Sequence, residues 1–90
     1  MKRVRWTLHA LEALDEREIE RTDAERTVSE PVTVRTSRGG RRLLARGYHD
    51  ASLGHEMVLC VVTEETEEET IIVTCYKSSK LEKFLRRGES

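Results

Sequence analysis

The hydrophobic periodicity of this chain changes near Pro31, and that change constrains the fold most strongly. Before Pro31, apolar residues recur at the three- and four-residue spacing of helices; after it, they alternate as in strands. Helices followed by a run of strands are typical of an α+β domain. A chain of 90 residues accommodates one such domain, which we place at residues 1–90.

Two short helices are predicted before Pro31. Thr7 can cap the first helix, which runs to about Asp15. Its expected buried stripe is Leu8, Leu11 and Leu14. The sequence Thr22-Asp23-Ala24-Glu25 is a capping box, in which the Thr and Glu side chains each bind an unpaired backbone N–H. It predicts a second helix from about Asp23 to Ser29, ended by Pro31.

Four strands are predicted after the helices, at residues 32–36, 41–48, 56–63 and 70–77. Gly39 and Gly40 supply the first turn, and the acidic tip at residues 64–69 supplies the last. Ser79-Lys80-Leu81-Glu82 resembles another capping box and predicts a final helix ended by Gly88. The predicted fold is therefore two short N-terminal helices, a four-stranded antiparallel β-meander and a C-terminal helix.

The strand register is predicted from the face that would be wholly apolar. Placing Cys60 opposite Cys75 gathers six apolar residues on one face, which the helices should cover. These residues are Val58, Cys60, Val62, Ile71, Val73 and Cys75. In the first hairpin, Val34 should face Leu43 and Val32 should face Ala45. We expect both cysteines to point inward as reduced thiols without a disulfide.

The opposite face carries the candidate phosphate-binding side chains. Arg42 and Arg46 are four residues apart on one predicted strand, so they share a face, with Arg35 across the hairpin. Guanidinium groups bind phosphate through two parallel hydrogen bonds. The alternative is a charged surface that keeps the domain soluble. The same face would also carry apolar residues that need cover from the C-terminal helix or a partner. They are Met57, Leu59, Val61 and Ile72.

Other candidate functional residues lie near the two ends of the chain. His9 has the intrinsic pKa of a general acid or base, although a structural hydrogen bond at the core boundary is the alternative. Tyr76 can stack on a base or position a phosphate, with Lys77 and Lys80 beside it; the alternative is packing at the rim of the core.

Composition excludes several classes of function. The formal net charge of −1 is unusual for a nucleic-acid-binding protein, although charge distribution matters more than the total. No apolar stretch approaches the length of a membrane span or a signal peptide, so we expect a cytoplasmic location and no membrane partner. No spacing of Cys and His residues predicts a metal site, and no nucleotide-binding motif predicts a cofactor.

Two stretches of the sequence resemble the uncharacterised prokaryotic family DUF4258. The first is Trp6-Thr7-Leu8-His9-Ala10-Leu11-Glu12, followed by Arg17, Ile19 and Pro31. The second is Ile72-Val73-Thr74-Cys75-Tyr76-Lys77-Ser78-Ser79-Lys80. This family looks like a relative of the RelE/ParE superfamily of toxins from toxin–antitoxin pairs. The resemblance points to His9, Arg17, Tyr76 and Lys77 as site residues, and implies RNA or the ribosome, and a cognate antitoxin, as partners.

Two functions follow as alternatives. The first is a RelE-like, metal-independent RNA endonuclease, in which the sheet arginines hold the scissile phosphate. His9 or Tyr76 would then assist attack by the ribose 2′-hydroxyl, with Arg46 stabilising the phosphorane. The second is a non-catalytic interaction module, either a degenerate toxin relative or a homo-oligomer. The near-zero net charge and the half-apolar outer face favour this alternative.

Overall fold

The computed structural model describes residues 2–36 and 38–81. Its elements in chain order are β1 (Arg3–Trp6), α1 (Leu8–Glu16), α2 (Arg21–Ser29), β2 (Thr33–Thr36), β3 (Arg41–Asp50), β4 (His55–Glu65) and β5 (Glu69–Ser78). A short 3-10 turn, Arg38–Gly40, joins β2 to β3. The predicted C-terminal helix falls on residues after Leu81 and lies outside the described residues.

The described strands form one mixed sheet in the order β1-β5-β4-β3-β2. Strands β2 to β5 pair antiparallel in sequence order, whereas β1 pairs parallel with β5. The predicted four-stranded antiparallel fold class is therefore wrong. Strand β1 was missed because it has only four residues, alternates Arg with Val and Trp, and gains its partner from more than 60 residues away.

Helix α1 packs against β5 through small residues. Thr7 caps it as predicted, accepting a hydrogen bond from the Ala10 amide. The predicted stripe is wrong in two of its three members, because Leu8 is 72% exposed and Leu11 is 39% exposed. The buried residues of this helix are Ala10, Ala13 and Leu14. The alanines allow a close approach, so that the Cys75 thiol lies 4.0 Å from the Ala10 carbonyl oxygen.

Helix α2 begins two residues before the predicted start. Glu20 occupies the N-cap position without a side-chain hydrogen bond, so the predicted capping box at Thr22 does not form. Ala24 and Thr27 are three residues apart, so they share a face of the helix, and both are buried. The helix ends at Ser29, before Pro31 as predicted.

Both predicted hairpin registers are wrong by one residue. Cys75 pairs with Val61, and Tyr76 pairs with Cys60, with a β-bulge after Val62. In the first hairpin, Val34 pairs with Leu44 rather than Leu43. Since paired residues share a face and neighbours in a strand alternate, the two cysteines lie on opposite faces of the sheet. The prediction that they are inward neighbours is therefore wrong.

The predicted faces are exchanged because β4 is apolar on both sides. Residues 57–61 form an unbroken apolar run that is entirely buried, so alternation does not distinguish its faces. The face under the helices carries Leu59, Val61, Ile72 and Cys75, which pack with Ala10, Ala13, Leu14, Ile19 and Ala24. The other face carries a second cluster, Ala45, Val58 and Cys60, against which Leu43 and Tyr76 pack. Leu59, Val61 and Ile72, predicted to lie on the outer face, are thus part of the main core.

Candidate functional site

The two stretches that carry the family resemblance meet along α1 and β5. The Thr7 hydroxyl donates to the Ile72 carbonyl oxygen at 2.9 Å, at the start of α1. At the other end of α1, Arg17 Nη1 donates to the Cys75 carbonyl oxygen at 3.1 Å. Lys77 Nζ donates to the Glu18 carbonyl oxygen at 3.3 Å. These contacts bring Arg17 and Lys77 to the same end of the domain.

A buried carboxylate organises that end. Asp50, at the end of β3, is 3% exposed and accepts a hydrogen bond from Lys77 Nζ at 2.8 Å. The Tyr48 hydroxyl donates to the same carboxylate oxygen, Oδ2, at 2.7 Å. The other oxygen, Oδ1, accepts from the Ser52 amide, the Ser52 hydroxyl and the Leu53 amide at 2.7–3.0 Å. We call Tyr48, Asp50 and Lys77, with Ser52, the Asp50 network.

The Asp50 network holds fixed protonation states at neutral pH. Hydrogen bonds from Lys77 and then from Ser52 lower the pKa of Asp50 well below its usual range, and they outweigh the opposing effect of burial. Burial and the bond to Asp50 raise the pKa of Tyr48 above its ordinary value. Asp50 therefore stays ionised and Tyr48 stays protonated, so neither group is suited to proton transfer near pH 7.

A cavity of about 260 Å³ adjoins this network. Its walls include Glu18, Glu20, Asp23 and Asp50. Four carboxylates around one cavity disfavour a phosphate there, because like charges repel strongly at short range. The cavity beside the Asp50 network is thus poorly suited to hold an RNA backbone.

The remaining residues of the predicted site are dispersed. His9 is exposed in the first turn of α1, about 12 Å along the helix axis from Arg17 at the rise expected for eight residues. Tyr76 and Lys77 are adjacent in β5 and point to opposite faces. Burial raises the pKa of Tyr76, and contact with Cys60 adds to the increase. Lys80 is exposed beyond β5, where its amide donates to the Ser78 hydroxyl.

The three sheet arginines do not form one cluster. Arg42 and Arg46 share a face, as predicted, because β3 pairs with β4 without a break in register. That face also carries Cys75, contrary to the prediction that it lacks the cysteines. Arg35 pairs with Leu43 and so lies on the opposite face, which makes the predicted three-arginine face wrong. Arg46 Nη1 donates to the Glu30 carbonyl oxygen at 2.6 Å, joining β3 to the end of α2.

Sequence reasoning missed the role of Tyr48 and Asp50. A signal for Asp50 was present, since Asp followed by a Ser two residues later favours a turn in which the Asp side chain binds backbone amides. The ion pair with Lys77 had no local signal, because the two residues are 27 positions apart.

A second feature missed from the sequence is the charge of the β2–β3 hairpin. From Thr33 to Asp50 the hairpin contains one carboxylate, Asp50, and five arginines: Arg35, Arg38, Arg41, Arg42 and Arg46. Its formal charge is +4, and because the whole chain has a formal charge of −1, the other residues together carry −5. Val34 in the edge strand β2 is 51% exposed, and Val32, immediately before that strand, is 46% exposed. Positive charge and exposed apolar surface therefore coincide at one edge of the sheet.

The described residues show neither a metal centre nor a membrane span. No group of three or more His, Cys, Asp or Glu side chains within residues 2–36 and 38–81 is arranged to hold a metal ion. Neither α1 nor α2 is long and apolar enough to cross a membrane.

Comparison with known proteins identifies a family without a described activity. No curated protein and no solved structure matches the chain significantly. Residues 6–77 match the model of a domain of unknown function, DUF4258. This match runs from Trp6 at the end of β1 to Lys77 in β5 and covers most of the chain. The chain therefore belongs to the DUF4258 family.

Proposed function

We propose that this chain is a non-catalytic domain that binds another protein. The observation that carries the proposal is the exposure of large apolar side chains on two separate elements. Leu8 and Leu11 are three residues apart on α1 and are both exposed, which places an apolar pair on its outer surface. Val34 in the edge strand β2 and Val32, immediately before it, form a second exposed pair. Grouped apolar residues at a surface are typical of protein-interaction sites.

The contacts that the candidate catalytic cations make within the fold support the same function. Arg17 binds the Cys75 carbonyl, Lys77 neutralises Asp50, and Arg46 binds the Glu30 carbonyl. Each of these contacts holds one element of the fold to another. The positions of these three cations are therefore explained by contacts within the fold, without a phosphate ligand.

Photo-crosslinking in the source cells tests the proposed function. A benzophenone amino acid is placed at position 8 or position 34, and at exposed position 67 in the acidic turn as a control. We expect a discrete adduct from position 8 or 34 that protease removes and ribonuclease does not, and none from position 67. Co-purification of the adducted protein with the wild-type chain in a defined stoichiometry would establish the complex. The proposal would be contradicted if neither position 8 nor position 34 gave a protein adduct.

The compartment proposed for this function is the cytoplasm. Cys60 and Cys75 are both free and buried. Free thiols in a folded core agree with a reducing compartment. Recovery of the tagged chain with a cytoplasmic marker after fractionation would support this location, whereas recovery with periplasmic or secreted proteins would contradict it.

The second candidate function is the metal-independent RNA endonuclease of the RelE/ParE type, with a cognate antitoxin as partner. It is favoured by one observation, the exposure of Arg42 on the same face as Arg46. In this reaction the 2′-oxygen bonds to phosphorus while the bond to the 5′-oxygen breaks. The 2′-hydroxyl releases its proton to water, the leaving 5′-oxygen takes up a proton from water, and a 2′,3′-cyclic phosphate remains. Tyr76 lies on the face of the sheet opposite Arg42 and Arg46, so it is not placed to donate that proton.

Expression of the chain alone separates the two candidates. The endonuclease requires growth arrest and RNA fragments ending in cyclic phosphate, with or without ribosomes, and cleavage that persists in EDTA. Arg42→Ala should relieve the arrest while the variant stays folded. Normal growth and intact RNA at high expression would exclude this candidate and leave protein binding in place.

A further inference from the structure

Resting on the proposed protein-binding function, we infer that a groove beside α1 binds a basic, amphipathic helix of the partner. The groove has a volume of about 510 Å³. Its walls come from the second half of α1, the turn that joins α1 to α2, the first residue of α2 and Ser52 in the loop after β3. The residues that line it supply both an apolar surface and an acidic rim.

The apolar surface of the groove continues along α1. Leu14 and Ile19 line the groove and are only 8% and 6% exposed, so they form its floor. Leu11 also lines it and is 39% exposed. Leu8, which is 72% exposed, lies three residues before Leu11, about 4.5 Å along the helix axis. The groove and the exposed leucine pair therefore form one apolar surface that a partner can cover.

The rim of the groove is acidic, and its charge is not neutralised by ion pairs within the described fold. Asp15, Glu18 and Glu20 line the groove and are exposed. None of the three forms an ion pair within residues 2–36 and 38–81. Arg21 lines the same groove, but Glu25 pairs with its guanidinium at 3.1 Å.

Other nearby cations leave this acidic character in place. Arg17 is directed to the Cys75 carbonyl, and Lys77 pairs with Asp50 in the adjoining cavity. Even with both arginines counted in full, residues 12–25 carry seven carboxylates against two guanidinium groups, a formal charge of −5. A partner segment that carries lysine or arginine is therefore attracted to this end of the domain.

The groove favours a helix as the conformation of the bound segment. It lies against two helices, whose backbone groups bond within each helix, so it offers no open strand edge to an incoming chain. The bound segment must then satisfy its own backbone hydrogen bonds, as an α-helix does. An amphipathic helix places its apolar side chains on the leucines and its cations on the rim.

Other classes of ligand fit the groove less well. The described residues contain no group of carboxylates arranged to hold a metal ion. Nucleic acid is repelled by the acidic rim, because phosphate and carboxylate carry the same charge. Two copies of this chain joined through the groove would place identical carboxylates opposite each other. A basic helix accounts for the leucines and the carboxylates together.

Fluorescence anisotropy with three labelled 18-residue peptides tests the inference on the full-length chain. The first peptide has leucines at three- and four-residue spacing and lysines on the opposite face. The second has the same composition in an order without an apolar face, and the third has glutamates in place of the lysines. We expect the first to bind at least about tenfold more tightly than either control, and more weakly as salt rises. Equal binding of the first two would overturn helix recognition, and tighter binding of the third would overturn the acidic rim.

Matched apolar substitutions locate the binding site. Leu11→Gln should weaken binding of the first peptide about fivefold or more, since it replaces an apolar contact with an amide. Val4→Gln should leave binding unchanged. Val4 is 48% exposed and pairs with Thr70, whereas the groove lies near Lys77 at the other end of β5. Equal effects of the two substitutions would overturn the assignment of the groove.

Matched charge substitutions test the rim. Asp15→Asn combined with Glu20→Gln should weaken binding about tenfold or more and reduce its salt dependence. The control, Glu67→Gln with Glu68→Gln, removes two exposed charges from the turn between β4 and β5 and should have little effect. Equal weakening by the two double variants would show only a general attraction to an acidic protein and would overturn the site.

Glu18→Gly separates binding from stability at the rim. Glu18 has a φ of 54°, in the left-handed region that favours glycine, so glycine relieves backbone strain while it removes the carboxylate. We expect weaker peptide binding, by about threefold, without a lower melting temperature. Weaker binding found only in variants that melt at lower temperature would overturn a direct role of the rim.

The outcomes separate this inference from the proposed function on which it rests. A protein adduct from position 34 but not from position 8 would leave protein binding in place and overturn the groove. An adduct from position 8 whose partner peptide, sequenced by mass spectrometry, is basic and amphipathic would confirm the inference. Sedimentation that shows a dimer of this chain, dispersed by Leu11→Gln, would assign the groove to a second copy and overturn the choice of partner.

Discussion

Lys77 Nζ lies 2.8 Å from Asp50 Oδ2, so that one ion pair joins β5 to the end of β3 across the intervening strand β4. The side chains of Lys77 and Asp50 are 15% and 3% exposed. Because Lys77 also donates to the Glu18 carbonyl, the same ammonium group ties the sheet to the turn after α1. This contact explains why two polar residues can be buried at the end of a thin core: each satisfies the other.

Asp50→Asn should destabilise the domain by about 3 kcal/mol. The substitution removes the charge that compensates Lys77, and loss of one partner from a buried pair leaves the other unpaired in a poorly solvated position. Glu56→Gln is the matched control, since the His49–Glu56 pair lies on the same hairpin but both side chains are more than 60% exposed. The control should change stability by less than about 0.5 kcal/mol. Urea unfolding followed by Trp6 fluorescence measures the free energy of unfolding of both variants. Equal losses of stability in Asp50→Asn and Glu56→Gln would contradict the structural role of Asp50.

The stability of the domain should fall in acid because of the same carboxylate. The pKa of Asp50 is lower in the folded protein than its ordinary value of 3.8. Its contribution is therefore fully present above about pH 4 to 5, and is lost as the pH falls through 3.8 toward the folded pKa. Wild-type unfolding at pH 7 and pH 3 should show this loss, and Asp50→Asn should reduce the difference. A variant with the wild-type pH dependence would show that other carboxylates cause the acid sensitivity.

Thr7→Ala should cost about 1–2 kcal/mol, whereas Thr7→Ser should cost much less. The Thr7 hydroxyl accepts from the Ala10 amide and donates to the Ile72 carbonyl, so it caps α1 and fixes it to β5 at once. Serine retains both hydrogen bonds, and alanine loses both. Thermal unfolding of the two variants side by side gives the comparison. Equal destabilisation would assign the effect to the Thr7 methyl group instead of its hydroxyl.

The local features of this fold were readable from sequence, and the long-range ones were not. The Thr7 cap, the end of α2 before Pro31 and the strands β2 to β5 depend on neighbouring residues, so their patterns are visible in a single chain. Strand β1 depends on pairing with β5, which no local pattern of four residues predicts. The register of β4 with β5 failed for a related reason, because residues on both faces of β4 are buried.

The candidate site was predicted in parts that the structure does not assemble. Arg17 and Lys77 do lie at one end of the domain, but each is engaged by a backbone carbonyl. The one-residue register error moved Tyr76 and Arg35 to the face opposite Arg42, since a slip of one residue exchanges the faces of a strand. Burial of Asp50 depends on the packing of three elements and has no signature in the sequence around it.

Neither cysteine should react with a thiol reagent in the native protein. Cys60 and Cys75 are fully buried on opposite faces of the sheet, so they form no disulfide with each other. Burial also raises the pKa of the Cys75 thiol, although the nearby charge of Arg17 acts in the opposite direction. Titration with a chromogenic disulfide should detect no thiol in native buffer and both thiols in denaturant. Rapid modification of one cysteine in the native state would place that residue at the surface.

Arg46→Ala should destabilise the domain by about 1 kcal/mol, whereas Arg42→Ala should change its stability by less than about 0.5 kcal/mol. The two arginines share a face of β3, but Arg46 donates to the Glu30 carbonyl oxygen at the end of α2 and is 26% exposed. Loss of that bond leaves one of the last carbonyls of the helix without its partner, at the usual net cost of a hydrogen bond. Arg42 is exposed, so its truncation removes little packing. Urea midpoints of the two variants measure the contrast, with Arg46→Lys as a test of whether a point charge can replace the guanidinium. A larger loss for Arg42→Ala would show that Arg42, and not Arg46, connects β3 to the rest of the fold.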